Sequence, residues 1–427
     1  MNRFILTILV LACVAPLRGQ ITWTQCRTAA RENYPLIRQY RLVERSTEYS
    51  VANAARAWLP QVSFSAQAGY QSDVASFPDE LTALYAQMGI DMKGLNRDQY
   101  RLSLEVNQTL WDGGQRRAQQ DVARADGEFS RQNLEVEMYA LNERVNSLYF
   151  GLLMLREQLT QNALLQELLQ SNLRTVDACI DHGVATASDR QVVQVELLTA
   201  AQQRVQLESA AAAYRKMLAV MTGISVGEAD TLEMPDVRPQ SASAAGNRPE
   251  LHLFEAQRRQ FEAQKRALHA SVMPRLGLFA QGFYGNPGLN LFRDMTENRW
   301  TWNYLAGVRF QWNFGSLYTR GGNLQKLSIA QQQVDSRREV FLFNQNLNVI
   351  RQQDAVDKMD RIMADDDEII ALRTSIRRAS EARFAHGTMT VNDLLRDIHA
   401  ESQARRARAL HEIERIKNIC DLLDTVN

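Results

Sequence analysis

The chain has 427 residues, in which 49 lysines and arginines are balanced by 49 aspartates and glutamates, so the formal net charge is zero at pH 7. This balance argues against the basic surface of a nucleic-acid-binding protein and against a polybasic patch for anionic lipid. The length suits two or three globular domains or one elongated repeat protein.

The N-terminus is typical of an exported protein. A basic M-N-R start and an apolar run from Phe4 to Val14 predict a secretory signal peptide over residues 1–19, which leaves Gln20 as the first mature residue. An alternative is a lipobox-like L-A-C segment, in which Cys13 would be lipidated. The apolar run is too short to span a bilayer, and no other stretch has the 18 or more consecutive apolar residues of a membrane helix.

A helix rich in Ala and Arg is predicted from Thr24 to Ala57, and Pro60 ends it. The following insert, from Gln71 to Gln99, contains a proline and two glycines and shows no sustained periodicity. We therefore expect it to be a long, outward-facing hairpin loop.

Four segments alternate apolar and polar residues and are predicted to be strands, at about 60–72, 100–111, 274–286 and 301–314. The last is the clearest, because one side of it would carry Trp302, Tyr304, Ala306, Val308, Phe310, Trp312 and Phe314. Length, alternation and terminal aromatic residues are typical of transmembrane β-barrel strands. Four strands are too few to close a barrel, and hydrocarbon does not tolerate an open sheet edge. The sequence therefore predicts a barrel that is shared between chains.

Two very long helices follow the strand pairs. From Leu134 the apolar residues recur with strict four-three spacing, which indicates a coiled-coil seam, and a helix from Gly114 to Gly183 would be roughly 100 Å long. Its counterpart from Gly322 to Ala385 keeps a seven-residue repeat but is more polar between the repeats. The return helices, Asp189–Thr222 and Asp393–Leu423, are about half as long. A helix that packs against protein on one side and meets water on the other suits the wall of a tube.

Each long helix ends in a G-x-x-T-x-x-D turn, at the predicted hairpin tips 181–189 and 385–393. The glycine suits a left-handed residue that ends a helix, and the Thr and Asp suit a capping box that begins the next one. The tip residues are His182, Gly183, Thr186 and Asp189 in the first turn and His386, Gly387, Thr390 and Asp393 in the second.

These patterns predict an internal duplication, with a first repeat at 20–246 that ends in a linker at 223–246 and a second repeat at 247–427. The N-Y-P motif recurs as N-R-P, and Pro60 recurs as Pro274 at the same offset, where each proline marks a helix–strand junction. The fold class predicted is mainly α with a small membrane β-barrel sector. Each repeat has the order helix, strand, strand, long helix, turn, helix.

Taken together, these features make the chain resemble the TolC family of outer-membrane efflux and secretion channels. The features that carry the resemblance are Asn33-Tyr34-Pro35, Leu59-Pro60, Leu110-Trp111-Asp112-Gly113-Gly114, Asn247-Arg248-Pro249-Glu250-Leu251 and the two tip turns. The resemblance implies a homotrimer whose twelve strands form one outer-membrane barrel above a helical periplasmic tunnel. It also implies that a periplasmic adaptor and an inner-membrane pump dock at the tips.

The resemblance places Asp393 where the family has an acidic ring at the periplasmic entrance; it either only caps its own helix or caps it and also contributes to a gate. A second acidic ring would be expected one turn later, where this chain has Arg396 followed by Asp397. This departure puts a cation-binding gate in doubt and suggests an Asp–Arg latch between chains. The acidic run Asp365–Glu368 is predicted to be solvated helix surface or, alternatively, an acidic belt in the lumen.

The sequence contains no P-loop, nucleophile elbow or zinc-protease motif, and the scattered Cys26, Cys179 and Cys420 have no metal-ligand spacing. We therefore expect no enzyme activity, no cofactor and no metal. The function predicted is a passive outer-membrane exit duct for a tripartite efflux pump, of RND or ABC type, or for type I secretion. The alternatives are a free-standing porin and a periplasmic coiled-coil adaptor or scaffold.

Overall fold

The computed structural model describes residues 20–90, 94–228, 230–238 and 248–426. The predicted signal peptide, Cys13 and part of the predicted linker lie outside these residues. The helices are α1 (Trp23–Asn33), α2 (Ile37–Arg56), α3 (Asp79–Gln87), α4 (Gln115–Asp181), α5 (Ala187–Thr222), α6 (Pro249–Ser271), α7 (Leu291–Glu297), α8 (Gly315–Ala385) and α9 (Val391–Val426). The strands are β1 (Gln20–Ile21), β2 (Gln61–Tyr70), β3 (Asp98–Trp111), β4 (Thr231–Leu232), β5 (Arg275–Asn286) and β6 (Thr301–Gln311).

The predicted fold class is confirmed, since long helices dominate and a small sheet completes the chain. The chain divides into two compact units. The helical unit comprises the described residues of Met1–Arg41, Gln132–Leu253 and Ser336–Asn427, and the strand unit comprises those of Leu42–Arg131 and Phe254–Asp335. None of the helices in the described ranges combines the length and the apolar content that crossing a bilayer requires.

The strand unit is built on one antiparallel sheet with the order β2-β3-β5-β6. A hairpin insert joins β2 to β3 and another joins β5 to β6, while the β3–β5 pair, whose strands are far apart in sequence, is the seam between the two repeats. Strands β2 and β6 lie at the two edges, so each is paired on one side only. Unpaired edge strands present a row of free N–H and C=O groups to any other strand that approaches.

The core of the helical unit lies where α1, α4, α5 and α9 pack together, around fully buried residues such as Tyr149, Phe150 and Leu152. Tyr149 also holds the small parallel β1–β4 sheet, because its hydroxyl lies 2.9 Å from the carbonyl oxygen of Ile21 and 2.6 Å from that of Glu233. Burial raises the pKa of Tyr149, which keeps this hydroxyl protonated and able to donate.

The C-terminal end of α9 is fastened by the second-repeat motif N-R-P. Arg248 donates through Nη1 to the carbonyl oxygen of Asp424 at 2.8 Å and pairs through Nη2 with Glu250 at 2.5 Å. The Asp424 carboxylate lies 2.7 Å from the guanidinium of Arg27 in α1. Burial raises the pKa of Asp424, although the charge of Arg27 opposes this. The arginine of the motif therefore satisfies a helix-end carbonyl that has no partner within its own helix.

Three local predictions differ from the structure. The helix expected from Thr24 to Ala57 is two helices, because Tyr34, which precedes a proline, is extended (φ −65°, ψ 131°) and ends α1. The first hairpin insert, expected to be an irregular loop, contains the short helix α3, and the second insert contains α7. Strand β6 ends at Gln311, so Trp312 and Phe314 follow the strand rather than complete it.

Candidate functional site

The first candidate feature is the pair of helical hairpin tips in the helical unit. At the first tip, Gly183 has φ of +75°, and the N–H of Val184 donates to the carbonyl oxygen of Cys179 at 2.8 Å. At the second tip, Gly387 has φ of +69°, and the N–H of Thr388 donates to the carbonyl oxygen of Arg383 at 3.0 Å. Both bonds satisfy carbonyls at the ends of α4 and α8, as in a Schellman motif.

The Thr and Asp of each tip begin the return helices. At the first tip, the hydroxyl of Thr186 accepts from the N–H of Asp189 at 3.3 Å, while the Asp189 carboxylate accepts from the N–H of Thr186 at 2.8 Å. At the second, the Thr390 hydroxyl accepts from the N–H of Asp393 at 3.2 Å and donates to its Oδ2 at 2.7 Å. A threonine therefore caps each return helix; Asp189 completes a reciprocal capping box, whereas the Asp393 carboxylate bonds the hydroxyl of Thr390.

One apolar cluster joins the two tips, so they are in contact with each other. Its buried members are Leu169, Val176, Cys179, Val193, Ala200, Phe384, Val391, Leu394, Leu395 and Ile398, contributed by both hairpins. A Cβ on Gly387 would lie 2.9 Å from the Cγ1 of Val184, whereas a Cβ on Gly183 would meet nothing within 4 Å. The second glycine is thus pressed against the first tip. Both His182 and His386 lie exposed on the turns.

The three residues predicted to form the entrance gate separate into two groups. Arg396 pairs with Asp393 of the same chain at 3.3 Å, and the Arg396 side chain is 74% exposed. Asp397 forms no such pair among the described residues and accepts a 2.6 Å hydrogen bond from the buried hydroxyl of Ser380 on α8. Within one chain, therefore, Asp393 and Arg396 share an exposed surface, whereas Asp397 belongs to the packing between α8 and α9.

A buried ionic cluster further along α8 and α9 was not predicted from the sequence. The Glu401 side chain is 5% exposed and accepts from Thr374 at 2.7 Å, from Arg405 at 2.8 Å and from Arg377. Burial by itself would raise the pKa of Glu401, but the hydrogen bonds from Thr374, Arg405 and Arg377 and the charge of Arg377 lower it overall. The Glu401–Arg405 spacing of four was visible in the sequence, but Thr374 and Arg377 come from the other arm of the hairpin.

The acidic run Asp365–Glu368 is neither wholly solvated nor a free belt. Asp366 is 7% exposed and lies 2.9 Å from Nδ1 of His411, while Asp367 pairs with Arg408 at 3.1 Å. Basic residues of α9 thus face part of the acidic run of α8. Another cross-hairpin contact joins His399 of α9 to Glu196 of α5 at 3.0 Å.

The second candidate feature is the apolar face of the sheet in the strand unit. Successive cross-strand rows on this face are apolar on all four strands: Val62, Val106, Ala280 and Ala306; then Phe64, Leu104, Gly282 and Tyr304; then Ala66, Leu102, Tyr284 and Trp302. Phe64 is 70% exposed and Tyr304 is 85% exposed. An exposed apolar surface of this extent is typical of a contact with lipid or protein.

The opposite face of the sheet is largely polar. Its rows include Ser63, Glu105 and Gln281, and Arg309 lies 3.7 Å from the carboxylate of Glu105. Arg101 and Arg309 each stack on a phenylalanine of this face, at 4.5 and 4.7 Å from the ring centroids. The sheet therefore has one face suited to hydrocarbon and one suited to water.

The two predicted junction prolines each lie immediately before a strand. Pro60 precedes β2 and Pro274 precedes β5. Close packing surrounds the second junction, because a Cβ on Gly113 would lie 2.3 Å from that of Met273. Trp312 closes the same region by donating its indole N–H to the carbonyl oxygen of Val272 at 3.1 Å.

Comparisons with known proteins agree with this geometry. Residues 27–224 match the family model described as outer membrane efflux protein. A search of the curated proteins by sequence gave no match. Among solved structures, the chain is similar to the outer membrane protein VceC of Vibrio cholerae, with 12% identity, a TM-score of 0.69 and 95% of both chains covered.

Two further structures show the same fold. The CmeC outer membrane channel of Campylobacter jejuni has 14% identity and a TM-score of 0.66, with 95% of this chain and 85% of that chain covered. The open-state MtrE outer membrane channel of Neisseria gonorrhoeae has 16% identity and a TM-score of 0.66, with 95% and 88% covered. The matched family is one of channels rather than of enzymes.

The tip glycines provide a matched pair of substitutions. Gly387→Ala forces a side chain into a left-handed residue and into Val184, whereas Gly183→Ala forces only the left-handed strain. We expect Gly183→Ala to destabilise the hairpins by about 1 kcal/mol and Gly387→Ala by clearly more. Thermal unfolding of the purified protein, followed by circular dichroism, measures both. Equal losses would show that the tips do not press on each other.

The Glu401 cluster predicts a pH dependence of stability. Because the pKa of Glu401 is lower in the folded chain than in the unfolded chain, its contribution is fully present above the unfolded value, near pH 4.5, and is lost as the pH falls through the lower folded value. Glu401→Gln should therefore lower the free energy of unfolding at pH 7 by up to about 3 kcal/mol, seen as a lower thermal midpoint. Its deficit relative to the unsubstituted protein should shrink below about pH 4.

The control for this series is Glu208→Gln, which removes an exposed pair with Arg204 on one helix. We expect a change of less than about 0.5 kcal/mol at any pH, because water screens such a pair. A deficit for Glu401→Gln that stayed constant between pH 7 and pH 3 would contradict the proposed ionic role.

Proposed function

Because its residues 27–224 match the outer membrane efflux protein family and its fold is that of the TolC-family outer-membrane channels, we propose that this chain is one protomer of an outer-membrane exit duct. The duct is a homotrimer in the outer membrane of a Gram-negative bacterium and extends into the periplasm. It serves a tripartite efflux pump or a type I secretion system as a passive conduit. The energy for transport comes from the inner-membrane partner.

The observation that carries this proposal is the sheet of the strand unit. Its edge strands β2 and β6 are unpaired, and one face carries four-strand rows of exposed apolar side chains. In hydrocarbon every backbone polar group needs a partner, so a four-stranded sheet is stable there only if further strands complete it. Strands from sister copies supply them: β6 of one copy pairs with β2 of the next. Three copies give twelve strands, which lies within the size range of such barrels.

We assign the hairpin tips to docking of the periplasmic adaptor and to gating. The two tips share one apolar cluster, so a force on one tip is transmitted to the other. Asp393 and Arg396 present paired opposite charges on the exposed second tip. Three such pairs around a symmetry axis form an entrance in which the arginines offset the acidic ring and reduce its attraction for cations.

The sheet also argues against a periplasmic adaptor or scaffold. Such a protein uses the helical hairpins but has no need of an exposed apolar sheet, which in water promotes aggregation. A free-standing porin is disfavoured for the opposite reason, since α4 and α8, of 67 and 71 residues, serve no purpose in a simple barrel.

Membrane insertion of the sheet is tested by adjacent residues of β2. Phe64→Arg places a charge on the apolar face, and Ser65→Arg places the same charge on the polar face. A charge facing lipid costs about 2–4 kcal/mol at the bilayer midplane. We expect Phe64→Arg to remove most of the heat-modifiable oligomer from the outer-membrane fraction, while Ser65→Arg leaves it in place. Normal assembly of both variants, or recovery of the unsubstituted protein as soluble periplasmic material, would refute insertion.

The gate is tested by removing the arginine of the exposed pair. Arg396→Ala leaves Asp393 without its ionic partner, so the entrance should become more cation-selective in planar bilayers, seen as a shift of the reversal potential in a salt gradient. The control is Arg190→Ala, which breaks an exposed arginine–aspartate pair between α4 and α5, with Asp177, near the first tip. An identical reversal potential for all three proteins would show that the Asp393–Arg396 pair does not line the conducting path.

A further inference from the structure

A buried carboxylate without a cationic partner lies between β5 and β6. Asp294, in α7, is 1% exposed. Its Oδ2 accepts a hydrogen bond from the backbone N–H of Gly288 at 2.6 Å, whereas its Oδ1 is sealed from solvent and has no hydrogen-bond partner in the described part of the chain. Among the described residues, no lysine, arginine or histidine forms an ion pair with it, although the Nε of the adjacent Arg293 is also buried without a hydrogen-bond partner.

A second sealed oxygen belongs to the same loop. Asn286, the last residue of β5, is 5% exposed and donates through Nδ2 to Oδ1 of Asn298 at 2.7 Å. Its own Oδ1 has no hydrogen-bond partner within the described ranges. Asn298 in turn ends α7 and donates its N–H to the carbonyl oxygen of Asp294 at 3.2 Å. The two unpartnered oxygens are therefore parts of one hydrogen-bonded group, which we call the loop cluster: Asn286, Gly288, Asp294 and Asn298.

Electrostatics indicates what such a group requires. An ionised carboxylate loses several kcal/mol of hydration when it is buried, and one backbone N–H does not replace it. Buried charges in proteins are therefore paired with an opposite charge or coordinate a metal. A second unsatisfied acceptor, Oδ1 of Asn286, cannot relieve a carboxylate, because both atoms are electron-rich, whereas a cation bound by both oxygens would satisfy each of them.

We propose that the loop cluster binds a divalent metal cation of the calcium type, with Oδ1 of Asp294 and Oδ1 of Asn286 as side-chain ligands. Carboxylate and amide oxygens are hard donors, which select Ca²⁺ or Mg²⁺ over the metals that prefer imidazole or thiolate. Ca²⁺ accepts irregular sets of six to eight oxygens and completes them with backbone carbonyls and water, whereas Mg²⁺ requires near-ideal octahedral geometry. An irregular loop therefore favours Ca²⁺.

The site also connects the two hairpin inserts. Asn298 exchanges amide hydrogen bonds with Asn96 of the first insert, at 2.5 and 2.9 Å. Because Asn298 also accepts from Asn286, a cation that fixes Asn286 fixes the junction between the two inserts. The bound metal is thus a structural clamp on the loops of the strand unit, and it is independent of whether the chain conducts.

The test uses the full-length protein purified in detergent and stripped with EGTA. Isothermal titration with CaCl₂ should show one site per chain with a Kd of about 0.1–1 mM, the range of extracellular calcium modules. The thermal midpoint should rise with Ca²⁺ concentration, because the ion binds only the folded chain. MgCl₂ should bind more weakly.

Asp294→Asn keeps the shape of the side chain and removes its charge, so the affinity for Ca²⁺ should fall at least about tenfold and the thermal shift should disappear. The matched control is Asp79→Asn, on the exposed first turn of α3 in the other insert, which should bind Ca²⁺ normally. If Asp294→Asn does not fold, Asn286→Asp serves instead. It keeps an oxygen ligand and adds a charge while it removes the Nδ2 hydrogen bond to Asn298, and it should bind Ca²⁺ more tightly than the unsubstituted protein.

Two results would overturn the assignment. Absence of saturable Ca²⁺ binding by the unsubstituted protein is one, and binding that survives unchanged in both Asp294→Asn and Asn286→Asp is the other.

Discussion

The unpaired edges of the four-stranded sheet are the constraint on which the function of this chain depends. Each edge strand leaves half of its backbone hydrogen-bonding groups without a partner in its own chain, and water satisfies those groups only where water is present. The apolar rows beside them, such as Phe64, Leu104 and Tyr304, favour an environment without water. These two demands conflict in a single chain. A sheet that continues into sister copies resolves them together, because it pairs the edges and leaves the apolar face toward lipid.

In the helical unit the constraint is the pairing of charged side chains rather than of backbone groups. The long helices are strongly polar, yet many of their charges meet an opposite charge across the hairpin: Glu401 meets Arg377, Asp366 meets His411, and Asp367 meets Arg408. Such pairs add little stability when exposed, but a buried one fixes the relative position of two helices, because a slip would leave a charge without its partner. The exposed Asp393–Arg396 pair is under no such restriction and is free to exchange partners.

The loop cluster also contains a buried carboxylate, that of Asp294, but no described side chain of opposite charge is paired with it. Its carboxylate is as buried as Glu401, but no arginine forms an ion pair with it among the described residues. A cation from solution takes the place that arginine occupies in the helical unit. The expectation of no metal rested on the spacing of His and Cys residues, and oxygen ligands gathered from a loop leave no such spacing in a sequence.

Periodicity in the sequence determined the elements and their order, because a strand with one apolar face and a helix with one apolar seam each repeat at a fixed spacing. The sequence therefore predicted three features: the alternation around Tyr304, the heptad spacing from Leu134 and the glycine-containing tips. Contacts between distant segments were decided only by the tertiary structure. Val184 against Gly387, Thr374 with Glu401 and Gly288 with Asp294 depend on how elements pack. No local spacing encodes such contacts, because each partner satisfies its own local pattern equally well without the other.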